Sequence, residues 1–389
     1  MPERAADRPR PTGSGTALSG ACTGLPGAEG TGTPVPIDGS HGEGGGQILR
    51  TSLALSMITG RPLHMQRIRA GRARPGLRRQ HLACVDAAAR LCHAAVRGGR
   101  VGSQELVFTP GAITGGELVI DIGTAGSTTL VVQTILVPAI VAGVALRAVI
   151  RGGTHNPLAP PFEFVERVWL PHLHAMGARV ALTLDRHGFV TGDARPERQH
   201  GQLTLVVEPG GALQPIEIVE AGPIAARRAT VILSRLPSHV ADREHAVVRD
   251  RLGFAAGECE VREVAAPGPA NVLLLEIERT QGRELVSALG AQALLAELVA
   301  DRACDELAAL LAAGVPVGEH LADQLLLPLA IAGGGRFRTL PLSLHATTNM
   351  ATIQHFLDVA IDVAPGVAGD AATAAVTVAI RRPGGADHL

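Results

Sequence analysis

The run Gly42-Glu43-Gly44-Gly45-Gly46-Gln47 combines free backbone N–H groups with a single carboxylate, just ahead of a helical pattern. Backbone donors at a helix start can receive an anion, and one carboxylate among glycines can hold a metal ion beside a triphosphate. A flexible turn has the same composition, so the loop alone leaves both readings open. Downstream, seven arginines (61, 67, 69, 72, 74, 78 and 79) precede the next acidic residue, Asp86. Gly71, Pro75 and Gly76 interrupt them, as in a loop that presents side chains to phosphate oxygens; a solvated arginine-rich face is the alternative. His345 lies in Pro341-Leu342-Ser343-Leu344-His345-Ala346-Thr347-Thr348-Asn349. A neutral imidazole is a competent nucleophile near pH 7, yet one of 15 histidines beside small polar residues is equally at home on a surface. In His320-Leu321-Ala322-Asp323-Gln324, Asp323 and Gln324 suit a ribose or purine edge, or merely begin a helix. His172 and His174 are zinc-ligand types, but no further ligand lies near them in sequence, and they read as a helix surface pair.

Composition narrows the chemistry. All 35 basic residues are arginine. A Walker A loop lacks its lysine here, and a lysyl-AMP or Schiff base is excluded. Covalent nucleotide chemistry would need another nucleophile, which points to histidine. A net charge of −1 excludes coating nucleic acid through bulk charge. The five cysteines have no Cys-x-x-Cys spacing. With no signal-peptide core at the start, they suggest reduced thiols and a cytoplasmic protein. No apolar run reaches the roughly 20 residues that span a bilayer, so no membrane partner is expected.

The elements that must position these groups alternate between strand and helix, giving an α/β chain. Helices are expected from about Gln47 to Thr59, from near Pro75 to Cys92, through the apolar run Leu130–Ala145, near Pro161–Met176 and over Ala291–Leu311. Strands are expected at Val35–Gly39, Glu117–Ile122, Leu146–Arg151 and Asn271–Ile277, the last strands ending near Ile380. Residues 1–34 read as a disordered extension and 381–389 as a tail. The stretch 213–313 reads as a smaller α/β domain inserted into a larger one formed by 35–212 and 314–380.

Taken together, these segments resemble the RNA 3′-terminal phosphate cyclase family. The resemblance rests on His41 to Arg50, on Arg69 to Leu77 with Gln80-His81, and on Gly123-Thr124-Ala125-Gly126-Ser127 with Gln133. It continues through Gly152-Gly153-Thr154 with Ala159-Pro160-Pro161, then His320 to Gln324, and His345 with Thr348-Asn349, in the family's order. It implies three repeated units of two helices and a four-stranded sheet, with a smaller inserted α/β domain. It also implies ATP, Mg²⁺ or Mn²⁺, and RNA 3′-phosphate ends as partners, with a histidyl-AMP on His345. By the same resemblance, Glu43 faces metal and nucleotide. Gln133, Pro160, His320, Leu321, Ala322, Asp323 and Gln324 form an adenosine pocket, and Arg50, Arg69, Arg72 and Gln80 hold phosphate oxygens. His320 stands where relatives often carry tyrosine. After Arg186-His187-Gly188-Phe189, relatives continue into glycines, whereas this chain reads Val190 to Pro196. Relatives that act in ribosome assembly without catalysis lack the nucleophilic histidine. Enolpyruvyl-type transferases share repeated α/β units but depend on lysine. A plain nucleotide-binding module is the third alternative. Oligomeric state is left open.

Overall fold

The computed structural model describes residues 32–189, 200–366 and 375–383. Val190–Pro196, most of the expected extension and much of the tail lie outside the described residues. The first sheet takes β1 (Val35–Asp38), β2 (Leu63–Gln66), β3 (Ala95–Arg97) and β4 (Leu106–Thr109); α1 (Gly46–Thr59) follows β1 and α2 (Arg79–Cys92) follows β2. A second unit holds β5 (Gly116–Asp121), α3 (Thr128–Ala142) and β6 (Leu146–Gly152). Next comes one helical segment: α4 (Phe162–Phe164), a π turn (Val165–Trp169) and α5 (Leu170–Ala175). The unit closes with β7 (Arg179–Arg186) and β8 (Gly201–Glu208). After the short β9 (Glu217–Ile218) come β10 (Ile224–Ser234), α6 (His239–Leu252), β11 (Cys259–Glu263), β12 (Ala270–Arg279), β13 (Gly282–Leu289) and α7 (Ala296–Ala313). The chain ends in α8 (Glu319–Ala332), β14 (Gly334–Thr339), α9 (Leu344–Phe356), β15 (Ala360–Pro365) and β16 (Val376–Arg381).

Three sheets share one strand order: β1-β2-β4-β3, β5-β6-β8-β7 and β9-β14-β16-β15. In each, the first two strands pair in parallel and the other pairings are antiparallel. A parallel pair needs a helical crossover, which α1, α3 and α8 supply in turn. The fourth sheet, β11-β10-β12-β13, lies between β9 and α8 in the chain. Its strand β12 is buried on both faces. Val272 and Leu274 join the large core, while Leu273, Leu275 and Ile277 join a second cluster with α6 and α7. The alternation of side chains along a strand explains why this run is continuously apolar.

Helix α1 packs against α2, α3 and α9, and so joins all three like units. Helix α3 is buried along nearly its whole length, consistent with a sequence that is apolar all round apart from three threonines and Gln133. Helix α2 starts at Arg79 rather than near Pro75, because Gly76 and Leu77 donate their N–H groups to Ile68 O and Ser103 O (both 2.9 Å) and stay outside the helix. Helix α7 begins at Ala296, not Ala291, after a turn closed by Leu294 N to Ala291 O. His172 is buried rather than on a helix surface, and burial pushes its pKa down to about 4. Among the described residues, no group of three or more His, Cys, Asp or Glu could hold a metal ion. No helix among them is long and apolar enough to cross a membrane.

Candidate active site

The first turns of α1 and α9 meet beside α8. His345, in the first turn of α9, is accessible to solvent, and its Nδ1 lies 2.6 Å from Gln47 Oε1 on α1. Gln47 Nε2 donates to Asp323 Oδ1 on α8. Asn349, one turn beyond His345, donates from Nδ2 to Asp323 O (3.1 Å) and Oδ1 (2.9 Å), and Thr51 Oγ1 donates to Asn349 Oδ1 (2.9 Å). Gln324 Nε2 reaches Asp323 Oδ2 at 3.0 Å. Burial pushes the Asp323 carboxyl up, against the amide donors of Gln47 and Asn349, which favour its charged form. Partial desolvation, with Arg50 and His320 nearby, holds His345 below the usual histidine value; Asp323 opposes this. The imidazole is therefore neutral near pH 7, as a nitrogen nucleophile must be.

The glycine loop lies over the same helix start. Gly42 has φ +57°, and a Cβ there would come 2.1 Å from Thr348 Oγ1 on α9. That hydroxyl accepts the Glu43 N–H (3.0 Å) and donates to Leu344 O (2.6 Å), tying the loop to the helix that carries His345. Glu43 Oε1 pairs with Arg72, whose Nη2 also donates to Glu43 O at 3.0 Å. Glu43 Oε2 is buried with no hydrogen-bond partner. Arg50, half-buried, makes no hydrogen bond to another described residue, and burial lowers its pKa against the pull of Cys84 and Asp323. A guanidinium so placed still carries its charge and has donors free for an anion.

A small cavity beside these groups is lined in part by Gln47, Arg50, Gln133, Trp169, Asp323 and Gln324. Gln133, Arg50, Asp323 and Gln324 are thus brought together. His320 is exposed at the start of α8, with Nε2 3.6 Å from Glu306. Leu321 and Ala322, the next residues of α8, are buried in the main core. The Pro160 carbonyl accepts from Thr129 Oγ1 (2.8 Å). Gln80 Oε1 accepts the N–H of Ser127, the residue that caps α3 (3.1 Å). Arg69, in the left-handed region (φ 54°), donates to Arg74 O and Gly76 O at 2.9 and 3.1 Å and so shapes the arginine loop from within.

A sequence model of the family described as RNA 3′-terminal phosphate cyclase matches residues 41–363. The chain belongs to the RNA 3′-terminal phosphate cyclase family. A protein of that name from Ectopseudomonas mendocina (strain ymp) is 48% identical over 330 residues, covering 84% of this chain and 94% of the relative. One from Salmonella enteritidis PT4 is 45% identical, covering 84% and 94%. One from Koribacter versatilis is 42% identical, covering 85% and 91%.

Within this cyclase-family site, the sequence assigned no role to Gln47, Asn349, His81 or Trp169. His81 Nδ1 accepts the Arg78 N–H at 3.0 Å, which leaves the ring proton on Nε2. Burial, with Arg69, Arg50 and Arg78 around it, pushes the His81 pKa down to about 3. Trp169 is the last residue of the π turn, and its Nε1 is buried without a partner. π turns inside helices are frequent at functional sites, but a local sequence pattern gives no sign of one.

Proposed function

We propose that this chain is an RNA 3′-terminal phosphate cyclase that uses ATP and works through covalent adenylylation of His345. The observation that carries the reading is the neutral, accessible imidazole at the start of α9. It hydrogen-bonds a residue of α1 and lies beside the Glu43 loop and the guanidinium of Arg50, which makes no hydrogen bond to another described residue. The family membership supports the substrate class.

In the first step a nitrogen of His345 attacks the α-phosphorus of ATP and pyrophosphate leaves, giving a histidyl-AMP. An oxygen of the RNA 3′-phosphate then takes the adenylyl group, releasing His345 and forming an RNA-(3′)pp(5′)-adenosine. The vicinal 2′-hydroxyl loses its proton and attacks the 3′-phosphorus; AMP departs and the 2′,3′-cyclic phosphate remains. Activation is needed because an unmodified terminal phosphate offers only oxide or hydroxide as leaving group. The closing hydroxyl is held within the same ribose, so ring closure costs little entropy. Arg50 and Arg72 suit the equatorial phosphoryl oxygens, where fixed donors stabilise spreading charge. Glu43 Oε2, buried and unpartnered, fits one protein ligand of Mg²⁺ or Mn²⁺, the remaining ligands coming from phosphates and water. Such an ion would neutralise charge on the triphosphate. The reading extends to a reducing, cytoplasmic setting, supported by Cys84, Cys92, Cys259 and Cys304 all being free thiols.

The test is an RNA oligonucleotide with a 3′-phosphate, incubated with ATP and Mg²⁺ and then treated with phosphatase. Wild type should render the end phosphatase-resistant in an ATP-dependent manner, and His345→Ala should leave it sensitive. Resistance made equally by His345→Ala would remove the covalent mechanism. An end that stays sensitive with wild type across metals and nucleotides would sink the cyclase reading.

A further inference from the structure

The amide relay behind His345 has a direction that the hydrogen-bonding groups themselves dictate. The main-chain oxygen of Asp323 can only accept. Asn349 must therefore turn its Nδ2 toward it (3.1 Å), and the Thr51 hydroxyl donating to Asn349 Oδ1 agrees with that orientation. The same Nδ2 reaches Asp323 Oδ1 at 2.9 Å, which makes Oδ1 an acceptor whether or not the carboxyl is ionised. Any proton on the group would sit on Oδ2. The Gln47 amide also meets Oδ1, and against an acceptor it must present Nε2. Its Oε1 is then left facing His345 Nδ1 at 2.6 Å. A carbonyl oxygen has no proton to give, so Nδ1 must carry one.

We infer that Gln47, oriented by Asn349 and Asp323, is a positioning residue that holds His345 in the Nδ1–H tautomer and so presents the Nε2 lone pair to the nucleotide. The inference rests on the adenylylation reading above. It also gives the Asp323 carboxylate a task distinct from the adenosine contact that the family resemblance implies, since its Oδ1 is taken up by Gln47 and Asn349. A neutral imidazole has one N–H, and which nitrogen holds it is set by the hydrogen bond at the other. Without the relay, Nδ1 and Nε2 would compete for the proton, and part of the population would present N–H rather than a lone pair to the α-phosphorus. The partner chosen by α1 therefore decides which atom on α9 reacts.

The tautomer can be read directly in protein labelled with ¹⁵N at histidine, the His345 signals being found by difference from His345→Ala. Wild type without nucleotide should show a protonated, pyrrole-type Nδ1 and a pyridine-type Nε2. Gln47→Met keeps the length and removes the polar group. It should mix or reverse the tautomers and slow single-turnover transfer of AMP from ATP roughly 10–100-fold, the usual cost of losing such an outer partner, with half-saturating ATP little changed. Gln47→Glu should place a carboxylate on Nδ1–H, favour the imidazolium and move the acid limb of the pH–rate profile to higher pH. A wild-type His345 carrying its proton on Nε2 would overturn the inference, even if Gln47→Met failed to fold. An unchanged tautomer and rate in a folded Gln47→Met would do the same. AMP transfer that persists in His345→Ala would instead strike the adenylylation reading, while the tautomer measurement, which needs no ATP, would stand apart from it.

Discussion

Gly46 opens α1 where no side chain fits. A Cβ there would lie 2.7 Å from His81 Nε2 and 3.0 Å from Arg50 Nη1. A helical glycine ordinarily costs about 1 kcal/mol relative to alanine, so local stability argues against glycine and the close approach of Arg50 and His81 argues for it. Gly46→Ala should lower the thermal midpoint by a few degrees at most, since the clash with buried His81 outweighs the helix gain by about 1–2 kcal/mol, while the proposed adenylylation falls at least about tenfold as the guanidinium is pushed from its place. Denaturation and AMP-labelling measured on the same preparation check this; a fully active variant would show that Arg50 tolerates displacement. At this scale Glu43 and His345 stand out in the sequence as residue types, because a carboxylate among glycines and a histidine each advertise a chemistry, whereas Arg50 enters only through the family resemblance. Gln47 and Asn349 do not stand out. Gln47 bonds Asp323 across 276 positions and His345 across 298, and an amide shows its role only through the partners it faces.

Sheet four carries a polar pair that its strand pattern does not announce. Asn271 on β12 donates to Glu244 Oε1 on α6 (2.5 Å), while Glu244 Oε2 and Asn271 Oδ1 are both buried without partners. One proton on Oε2 would satisfy both, closing a two-bond ring between a carboxylic acid and an amide. Burial, together with repulsion from Glu297, raises the Glu244 pKa from 4.5 to about 7, against the pull of Asn271. The folded state therefore holds this proton more tightly than the unfolded chain. The stabilisation is complete below about pH 4.5 and is lost as pH rises through about 7. Glu244→Gln preserves both bonds at every pH. It should match wild type near pH 5 and exceed it above pH 8 by up to roughly 3 kcal/mol, read from denaturant unfolding at the two pH values. An equal difference at both would show that Glu244 does not titrate with folding. The strand itself was legible in Asn271-Val272-Leu273-Leu274-Leu275. The starts of α2 and α7 were not, because the N–H groups that delay them bond to partners outside the helix, such as Ile68 O and Ser103 O for α2.

No single unit of the molecule contains the site. Gln47 belongs to the first unit, Gln133 and Trp169 to the second, and Asp323, His345 and Asn349 to the third, with α1 packed against α3 and α9 to bring them into register. The alternation of strand and helix was legible in the sequence, whereas the common strand order was not, since its registers are fixed by long-range pairing and not by any repeated motif. Sheet four is bound into the same assembly from outside the three-unit plan. Ile232, Val272, Leu274 and Leu285 lie in the main core. Glu284 on β13 accepts the Gly318 N–H at the start of α8 (2.7 Å), and Arg167 of the π turn pairs with Glu276 on β12 (3.2 Å). The elements that carry Asp323 and Trp169 are thus held in part by residues of the intervening sheet. A chain lacking residues 224–313 would bare the apolar face that sheet four covers, and exposed patches of that kind drive association. Such a chain should elute as aggregate in size-exclusion chromatography and take up no AMP on His345. A monodisperse shortened chain that is still labelled would show that the three like units hold α8 and the π turn in place by themselves.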